Sequence, residues 1–274
     1  MTALHATLSA SAPALSSVDA SAWGCVDFLS DVHLHSADPT TAQAWLAYLR
    51  HTPADALFIL GDLFEAWVGD DVLHHPLGVF EQSCAQALAE CTASKPVFFV
   101  CGNRDFLIGP AFFHHTGVQA LSEPCRVDSR AGPLLLSHGD TLCTDDHDYL
   151  AFRAQVRSPD WQNTFLTQPL TERLAQARAM REQSQARQQS MATLPDVNTL
   201  ACEAALTEHQ AHTLVHGHTH RPGVHDLGQG RVRRVLSDWQ AQAKPPRLEV
   251  LRLQGGQWQH VPLPAAPVSG ATTP

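Results

Sequence analysis

The sequence predicts an α/β fold, built as one large domain with a helical insert. Short apolar runs alternate with amphipathic stretches along most of the 274 residues, and a polar cluster follows each of five apolar runs. The composition is 44% hydrophobic and 16% charged, which is typical of globular proteins and excludes disordered and fibrous chains. The formal net charge of −9 argues against a basic nucleic-acid-binding protein.

The predicted elements follow in order along the chain. Residues 1–22 are rich in Ala and Ser and predict a loose tail, residues 263–274 predict another, and the core is expected over 23–147 and 195–262. The apolar runs predict buried strands at 26–29, 57–60, 97–100, 134–136 and 213–215, with helices at 41–50 and 77–91. After residue 221 the pattern changes to antiparallel strands and hairpins, at 224–227, 231–236, 248–253 and 258–261.

Residues 148–194 interrupt this alternation and predict a helical cap over the core. The segment holds six arginines and four acidic residues, a net charge of +2 within a chain of −9. Its apolar residues, among them Phe165, Leu166 and Leu170, could cover hydrocarbon chains while the arginines face phosphate or anionic lipid. The alternative is a plain helical hairpin with solvated arginines.

The cysteine and hydropathy patterns bear on location. The count of seven cysteines is odd and no C-x-x-C occurs, so we expect neither a disulfide framework nor a thiolate zinc site, and a reducing compartment fits best. No run of 18 apolar residues is present, so we expect no membrane-spanning helix. A signal peptide begins with basic residues, but the first Lys or Arg of this chain is Arg50. We therefore expect a cytosolic protein that could still attach to a membrane surface.

The polar clusters predict a two-metal centre. Because the carboxyl ends of strands line the ligand crevice of an α/β sheet, five loops should converge there. Their Asp, His and Asn side chains offer oxygen and imidazole ligands without thiolate, a set that suits Mn²⁺, Fe, Ni²⁺ or Zn²⁺ better than Ca²⁺. A carboxylate such as Asp62 can bridge two cations about 3.5–4 Å apart. The clusters are Asp31-Val32-His33, Gly61-Asp62, Gly102-Asn103-Arg104-Asp105, His138-Gly139-Asp140 and Gly217-His218-Thr219-His220.

These motifs, in this order, resemble the calcineurin-like metallophosphoesterases over about residues 26–239. The resemblance implies a four-layer α/β/β/α sandwich with a dinuclear site. It implies one metal bound by Asp31, His33, Asp62 and His220, and a second bound by Asp62, Asn103, His138 and His218. Asp62 would bridge the two metals, and His216 is expected to support the site rather than bind metal.

Longer stretches at residues 60–71, 102–107, 138–146 and 216–222 resemble the UDP-2,3-diacylglucosamine pyrophosphatases of lipid A biosynthesis, a family with a helical insert at the same place. This resemblance implies a Mn²⁺-dependent pyrophosphate hydrolase that acts at the cytoplasmic surface of the inner membrane. Attack of a metal-activated hydroxide on the α-phosphorus would give UMP and 2,3-diacylglucosamine 1-phosphate. The residues implied in catalysis are Asp62, Asn103, Arg104, His138 and His218; those implied in substrate binding are Asn103, Arg104, Asp146, Ser184, Gln188 and His218.

The residue after the G-N motif supports pyrophosphate cleavage. Most metallophosphoesterases have a histidine there, which can protonate an alkoxide leaving group, whereas this chain has Arg104, which keeps its proton near neutral pH. Cleavage of a pyrophosphate releases a phosphate monoester, which needs charge stabilisation more than a proton. The alternatives are an Arg104–Asp105 ion pair and, for Asp146, a helix N-terminal acid.

Two other functions remain open from the sequence. One is a different nucleotide pyrophosphatase or phosphodiesterase on the same fold, which would cleave UDP-sugars that lack acyl chains. The other is a non-catalytic interaction module that has lost its metals, although all seven ligand positions are intact. The sequence does not indicate an oligomeric state.

Overall fold

The computed structural model describes residues 15–190 and 196–265. The strands in these ranges are β1 Leu15–Asp19, β2 Cys25–Leu29, β3 Ala56–Leu60, β4 Val97–Val100, β5 Gln119–Ser129, β6 Gly132–Leu136, β7 Thr213–His216, β8 Gly223–Gly228, β9 Arg231–Val235, β10 Glu249–Gln254 and β11 Gln257–Pro262. The helices are α1 Pro39–His51, α2 Val79–Thr92, α3 Pro110–Thr116, α4 His147–Val156, α5 Pro159–Leu166, α6 Leu170–Ser190 and α7 Thr199–Glu208.

The long strand β5 joins two halves of one curled sheet. Its first residues pair in parallel with β4, which continues the order β11-β10-β2-β3-β4, and residues from Cys125 onwards pair antiparallel with β6, which leads to β7, β9 and β8. Strands β2, β3 and β4 are mutually parallel, and so are β6 and β7. The carboxyl ends of these two parallel groups carry the loops described below.

The buried side chains of β3 and its neighbours divide the protein into four layers. Leu57 and Ile59 belong to the cluster that packs under helices α1, α2 and α3, whereas Phe58 and Leu60 pack against side chains of the other half of the sheet. A third cluster joins β6 and β7 to α7. Because successive side chains of a strand face opposite sides, strands covered on both sides must be apolar throughout. The four layers confirm the predicted α/β/β/α sandwich.

The structure differs from the prediction at the N-terminal end of the described chain. The sequence predicts a loose tail over residues 1–22, but Leu15–Asp19 form strand β1, which pairs in parallel with β5. Ala20 is also buried, and its N–H donates to Asp128 O at 2.8 Å. The Ala- and Ser-rich composition conceals this strand because the pairing with β5 is a tertiary contact. At the other end, Leu263 N–H still bonds to Leu248 O at 2.7 Å, and residues 266–274 lie outside the described part.

Three helices, α4, α5 and α6, occupy the described part of the segment for which the sequence predicts a cap. Arg173 of α6 is 2% exposed; its guanidinium pairs with Asp71, donates to Val68 O, and donates through Nε to Gln168 O at 3.0 Å. The alternative of solvated arginines is therefore wrong for this residue. Phe165 and Leu170 belong to the main core cluster, and Phe165 also lines the cleft between the cap and the core. Their role in covering hydrocarbon chains stays a prediction. No helix of the described residues is both long and apolar enough to cross a membrane.

Candidate metal centre

All seven predicted ligand side chains lie in loops that follow β2, β3, β4, β6 and β7 directly. Because the strands of each parallel group end at the same edge, their loops meet across the top of the sandwich. The structure therefore brings together every residue that the motifs single out: Asp31, His33, Asp62, Asn103, His138, His218 and His220.

One half of the cluster consists of Asp31, His33 and His220. The Nε2 atoms of the two histidines are 3.3 Å apart, and Asp31 Oδ1 lies 3.2 Å from that of His220 and 4.0 Å from that of His33. The other oxygen of Asp31 accepts hydrogen bonds from Ser30 Oγ at 2.5 Å and from His218 N–H at 2.9 Å. These bonds direct Oδ1 towards the imidazoles, so that three donor atoms face one point.

The other half gathers around Asn103. Its Oδ1 lies 2.9 Å from His138 Nε2 and 2.9 Å from His218 Nδ1. His138 Nδ1 lies 2.9 Å from Leu60 O, so it donates there and leaves Nε2 free to act as a ligand. Asp62 Oδ1 is 3.7 Å from this Nε2 atom, and Asp31, Asp62 and His138 each offer a ligand atom within 4.8 Å of the others. The two carboxylates thus connect the halves.

The backbone at the cluster is held in an unfavourable conformation. Five candidate ligands have φ between 51° and 66°, a left-handed backbone conformation that residues other than glycine rarely adopt. They are Asp31, His33, Asp62, His218 and His220. Each such residue costs on the order of 1 kcal/mol or more, and residues of this kind concentrate at functional sites. Five of the seven candidate ligands therefore depend on the surrounding fold to keep their conformation.

Close backbone contact explains two glycines of the motifs. A Cβ on Gly102 would lie 2.1 Å from Asp62 Oδ1, and a Cβ on Gly217 would lie 2.2 Å from Asp31 Oδ2. Either methyl group would push a carboxylate out of the cluster. Glycine at both positions therefore permits the close approach of backbone and carboxylate.

The side chain of Asp105 supports the loops instead of pairing with Arg104. It is fully buried and accepts hydrogen bonds from the N–H groups of Gly102 and Leu63, at 2.8 and 2.7 Å. The expected alternative of an Arg104–Asp105 ion pair is wrong. Arg104 is directed at the cleft, where its nearest acid is Glu65, 4.0 Å from Nη1. His216 is fully buried with Nδ1 2.9 Å from Gly217 O, as a supporting residue would be.

Burial and crowding perturb the pKa values in the cluster. Burial raises the pKa of Asp62 to about 7, with His138 opposing the shift and Asp105 and Asp31 adding to it. Burial also lowers the pKa of His33 to about 3, against the attraction of Asp31. A neutral His33 and closely spaced carboxylates suit cations, because an imidazole binds metal in its neutral form and a cation relieves the repulsion between the carboxylates.

Two adjoining clefts lie at this cluster. The larger, of about 790 Å³, is lined by cluster residues, by α6 and by two loops at residues 35–38 and 239–243. The smaller, of about 340 Å³, lies between the cap and the core and is lined mostly by apolar side chains, among them Phe106, Phe152, Val156, Trp161 and Met180. Both clefts are lined by Asn103, Arg104, Tyr149, Arg181 and Ser184, so they adjoin at these side chains.

Sequence comparison identifies the family to which this arrangement belongs. Residues 26–222 match the calcineurin-like phosphoesterase family. This protein is a calcineurin-like phosphoesterase. It is 43% identical over 244 residues to the UDP-2,3-diacylglucosamine hydrolase of Stenotrophomonas maltophilia strain K279a, covering 84% of this chain and 95% of the relative. It is also 43% identical to the enzyme of that name from Chromohalobacter salexigens, covering 77% and 87%.

Two of the three substrate contacts predicted outside the metal-centre motifs of this phosphoesterase line the clefts, and the side chain of the third is not described. Ser184 of α6 lines both clefts. Asp146 lines the larger cleft and also caps α4, accepting the N–H of Tyr149 at 3.1 Å, so both of its interpretations fit the structure. Gln188 belongs to the end of α6, and its side chain lies outside the described residues.

Three side chains that no sequence motif singles out link the cap of this phosphoesterase to its metal-centre loops. Arg153 Nη2 lies 3.1 Å from Glu123 Oε2, and its Nε lies 2.8 Å from Asp140 Oδ2, which also accepts the Tyr149 hydroxyl at 2.6 Å. Arg157 donates to Gly102 O at 2.8 Å. The spacing of Tyr149, Arg153 and Arg157, four residues apart, places them on one face of a helix and could have revealed this role.

Proposed function

We propose that the protein is a metal-dependent hydrolase that cleaves the pyrophosphate bond of UDP-2,3-diacylglucosamine. The observation that carries the proposal is that a cleft of mixed polarity and a largely apolar cleft adjoin at the candidate metal centre. A substrate with hydrocarbon chains on one side of a pyrophosphate and a nucleoside on the other fits this arrangement. The names of the relatives that resemble the chain over most of its length support the same substrate.

We infer that the seven residues hold two divalent cations. Their donors are carboxylate oxygens, one amide oxygen and imidazole nitrogens, and Mn²⁺ accepts this mixture well. Two cations bound there would lower the pKa of water and neutralise charge on the phosphate oxygens. One cation would be held by Asp31, His33, Asp62 and His220, and the other by Asp62, Asn103, His138 and His218.

Two arginine side chains are assigned to bind the pyrophosphate together with the metal ions. Arg104 and Arg181 line both clefts, one on a metal-centre loop and one on the cap, with the carboxylate of Glu65 between them. Arginine binds phosphate oxygens with paired N–H groups, and it keeps its charge as negative charge develops on the leaving phosphate. We assign Arg104 to stabilise that charge, while Asn103 and His218 bind the phosphate from the side of the metal centre.

The acyl chains are assigned to the apolar cleft under the cap. Its lining side chains would shield hydrocarbon from water, at about 0.8 kcal/mol for each buried CH₂ group. Ser184, which lines both clefts, and Asp146, which lines the larger one, are assigned to contact the glucosamine. Because the substrate is a membrane lipid, we propose that the protein works at the cytoplasmic surface of the inner membrane. The half-exposed Phe152 and Leu166 of the cap are suited to contact that surface.

Hydrolysis of UDP-2,3-diacylglucosamine in ¹⁸O-labelled water tests the function, with the protein stripped of metal and reloaded with Mn²⁺, Mg²⁺ or Zn²⁺ in turn. We expect UMP and 2,3-diacylglucosamine 1-phosphate as products, with the label in UMP and the highest rate with Mn²⁺. Label in the lipid phosphate would refute the proposed attack on the α-phosphorus. Equal rates on a UDP-sugar without acyl chains would favour a general nucleotide pyrophosphatase.

A further inference from the structure

One wall of the larger cleft has been assigned neither to metal binding nor to the acyl chains. This wall consists of the loops at residues 35–38 and 239–243, and none of its residues lines the apolar cleft. If the acyl chains lie under the cap and the pyrophosphate lies at the metal centre, the nucleoside must extend away from the apolar cleft. The remaining polar space on that side is bounded by this wall.

The 239–243 loop is anchored on its inner side and polar on its outer side. Trp239 and Ala241 are buried; the N–H of Trp239 donates to Asp31 O at 3.0 Å, and the N–H of Ala241 donates to Thr41 Oγ1 at 3.1 Å. Gln240 pairs through its backbone with Arg247, which closes a short hairpin. This anchoring fixes the loop against the same backbone that carries the metal-centre residue Asp31.

Gln240 and Gln242 present their carboxamides to the cleft from this anchored loop. Both are exposed and both line the cleft, because they alternate with the buried residues. Gln242 Nε2 makes one long bond of 3.4 Å to Asp38 Oδ1, and the Gln240 side chain has no hydrogen bond to any described residue. A carboxamide offers one acceptor oxygen and two N–H donors. The uracil edge presents an N3–H donor between two carbonyl acceptors, so the two groups are complementary.

We infer that the UMP half of the substrate lies against the 239–243 loop, with the carboxamides of Gln240 and Gln242 hydrogen-bonded to the uracil edge. This inference rests on the proposed function, since it assumes a uridine nucleotide. The small side chains of Ala37 and Ala243 leave room for a flat base beside these amides. The loop is a nucleoside-binding wall whose position is fixed before the substrate arrives.

Direct titration of Mn²⁺-loaded protein with UMP and with N3-methyl-UMP tests the inference without turnover. The wild-type protein should bind N3-methyl-UMP at least tenfold more weakly than UMP, because the methyl group removes the N3–H donor. Q240A/Q242A should bind UMP at least tenfold more weakly than wild type and should no longer distinguish the two nucleotides. Gln257→Ala, an exposed glutamine on β11, is the matched control and should behave as wild type.

Kinetics separate this inference from the proposed function. With UDP-2,3-diacylglucosamine, Q240A/Q242A should raise KM at least tenfold and leave kcat within about twofold of wild type. Unchanged UMP affinity in that variant, or equal wild-type binding of UMP and N3-methyl-UMP, would overturn the inference even if the lipid substrate is cleaved normally. Failure of the wild-type protein to cleave the lipid substrate would refute the proposed function itself.

Discussion

Replacing Gly102 by alanine should disable the metal centre through a single methyl group. Gly102 does not have a positive φ, so alanine can adopt its backbone conformation and the effect is purely steric. The new Cβ would lie 2.1 Å from Asp62 Oδ1, whereas ordinary contacts begin at 3.4 Å. The same Cβ would lie 2.4 Å from the Asp62 backbone nitrogen, so both the carboxylate and the backbone of Asp62 must move by about 1 Å, which also disturbs the 2.8 Å bond from the N–H of Arg104 to Asp62 Oδ1. A misplacement of about 1 Å costs on the order of 100-fold in rate.

The assay is Mn²⁺-dependent hydrolysis by Gly102→Ala, with metal content measured by mass spectrometry and folding by thermal unfolding. We expect kcat to fall at least 100-fold with a loss of bound Mn²⁺, and the overpacking to lower the free energy of unfolding by about 1–3 kcal/mol. Gly24→Ala is the control, because its new Cβ would meet nothing closer than Asp55 Oδ2 at 3.5 Å. A Gly102→Ala protein with wild-type turnover and metal content would refute the reasoning.

Four further expectations follow from the same geometry. Asp62→Ala should abolish turnover and remove metal from both positions, and a purified variant that kept two metals per chain would contradict the bridging role. Arg104→Ala should lower kcat/KM by about 100- to 1000-fold without loss of metal; loss of metal at near-normal rate would make the arginine structural. Phe152→Ser should raise KM for the diacyl substrate about tenfold, since losing contact with two CH₂ groups is worth about 1.6 kcal/mol, and should spare a simple phosphodiester. Burial raises the pKa of Cys84 and Cys101 to about 12, so at pH 8 both thiols should resist iodoacetamide until the protein is denatured, as peptide mapping would reveal.

The sequence determined the strands that are buried on both faces, because their signal is local. The run at 56–60 is apolar at every position, and a strand buried on both faces requires that pattern whatever its neighbours are. The polar motifs come directly after these runs, and they lie close together because parallel strands end at the same edge of the sheet. The convergence of the seven candidate ligands, from Asp31 to His220, was therefore predictable from the residues and from family resemblance.

The sequence did not determine the pairing of distant segments. Strand β1 lies in an Ala- and Ser-rich stretch, and β5 has a mixed pattern because it leaves one half of the sheet and enters the other. Neither strand has a regular apolar periodicity in its sequence, because each forms through hydrogen bonds to a strand that is distant along the chain. The buried position of Arg173 is of the same kind, because its partners Asp71 and Val68 lie about a hundred residues earlier.

Only the tertiary structure decided how the cap and the 239–243 loop complete the site. The composition of the insert indicates a surface rich in arginine and apolar side chains, but Arg153 and Arg157 bond to core loops while Arg181 lines the clefts. Gln240 and Gln242 carry no signal in the sequence, and they form the inferred nucleoside-binding wall only because the buried residues beside them fix the loop over the cleft. The physical reason is that local sequence sets the conformation of a segment, whereas the direction of a side chain depends on which distant surface its backbone packs against.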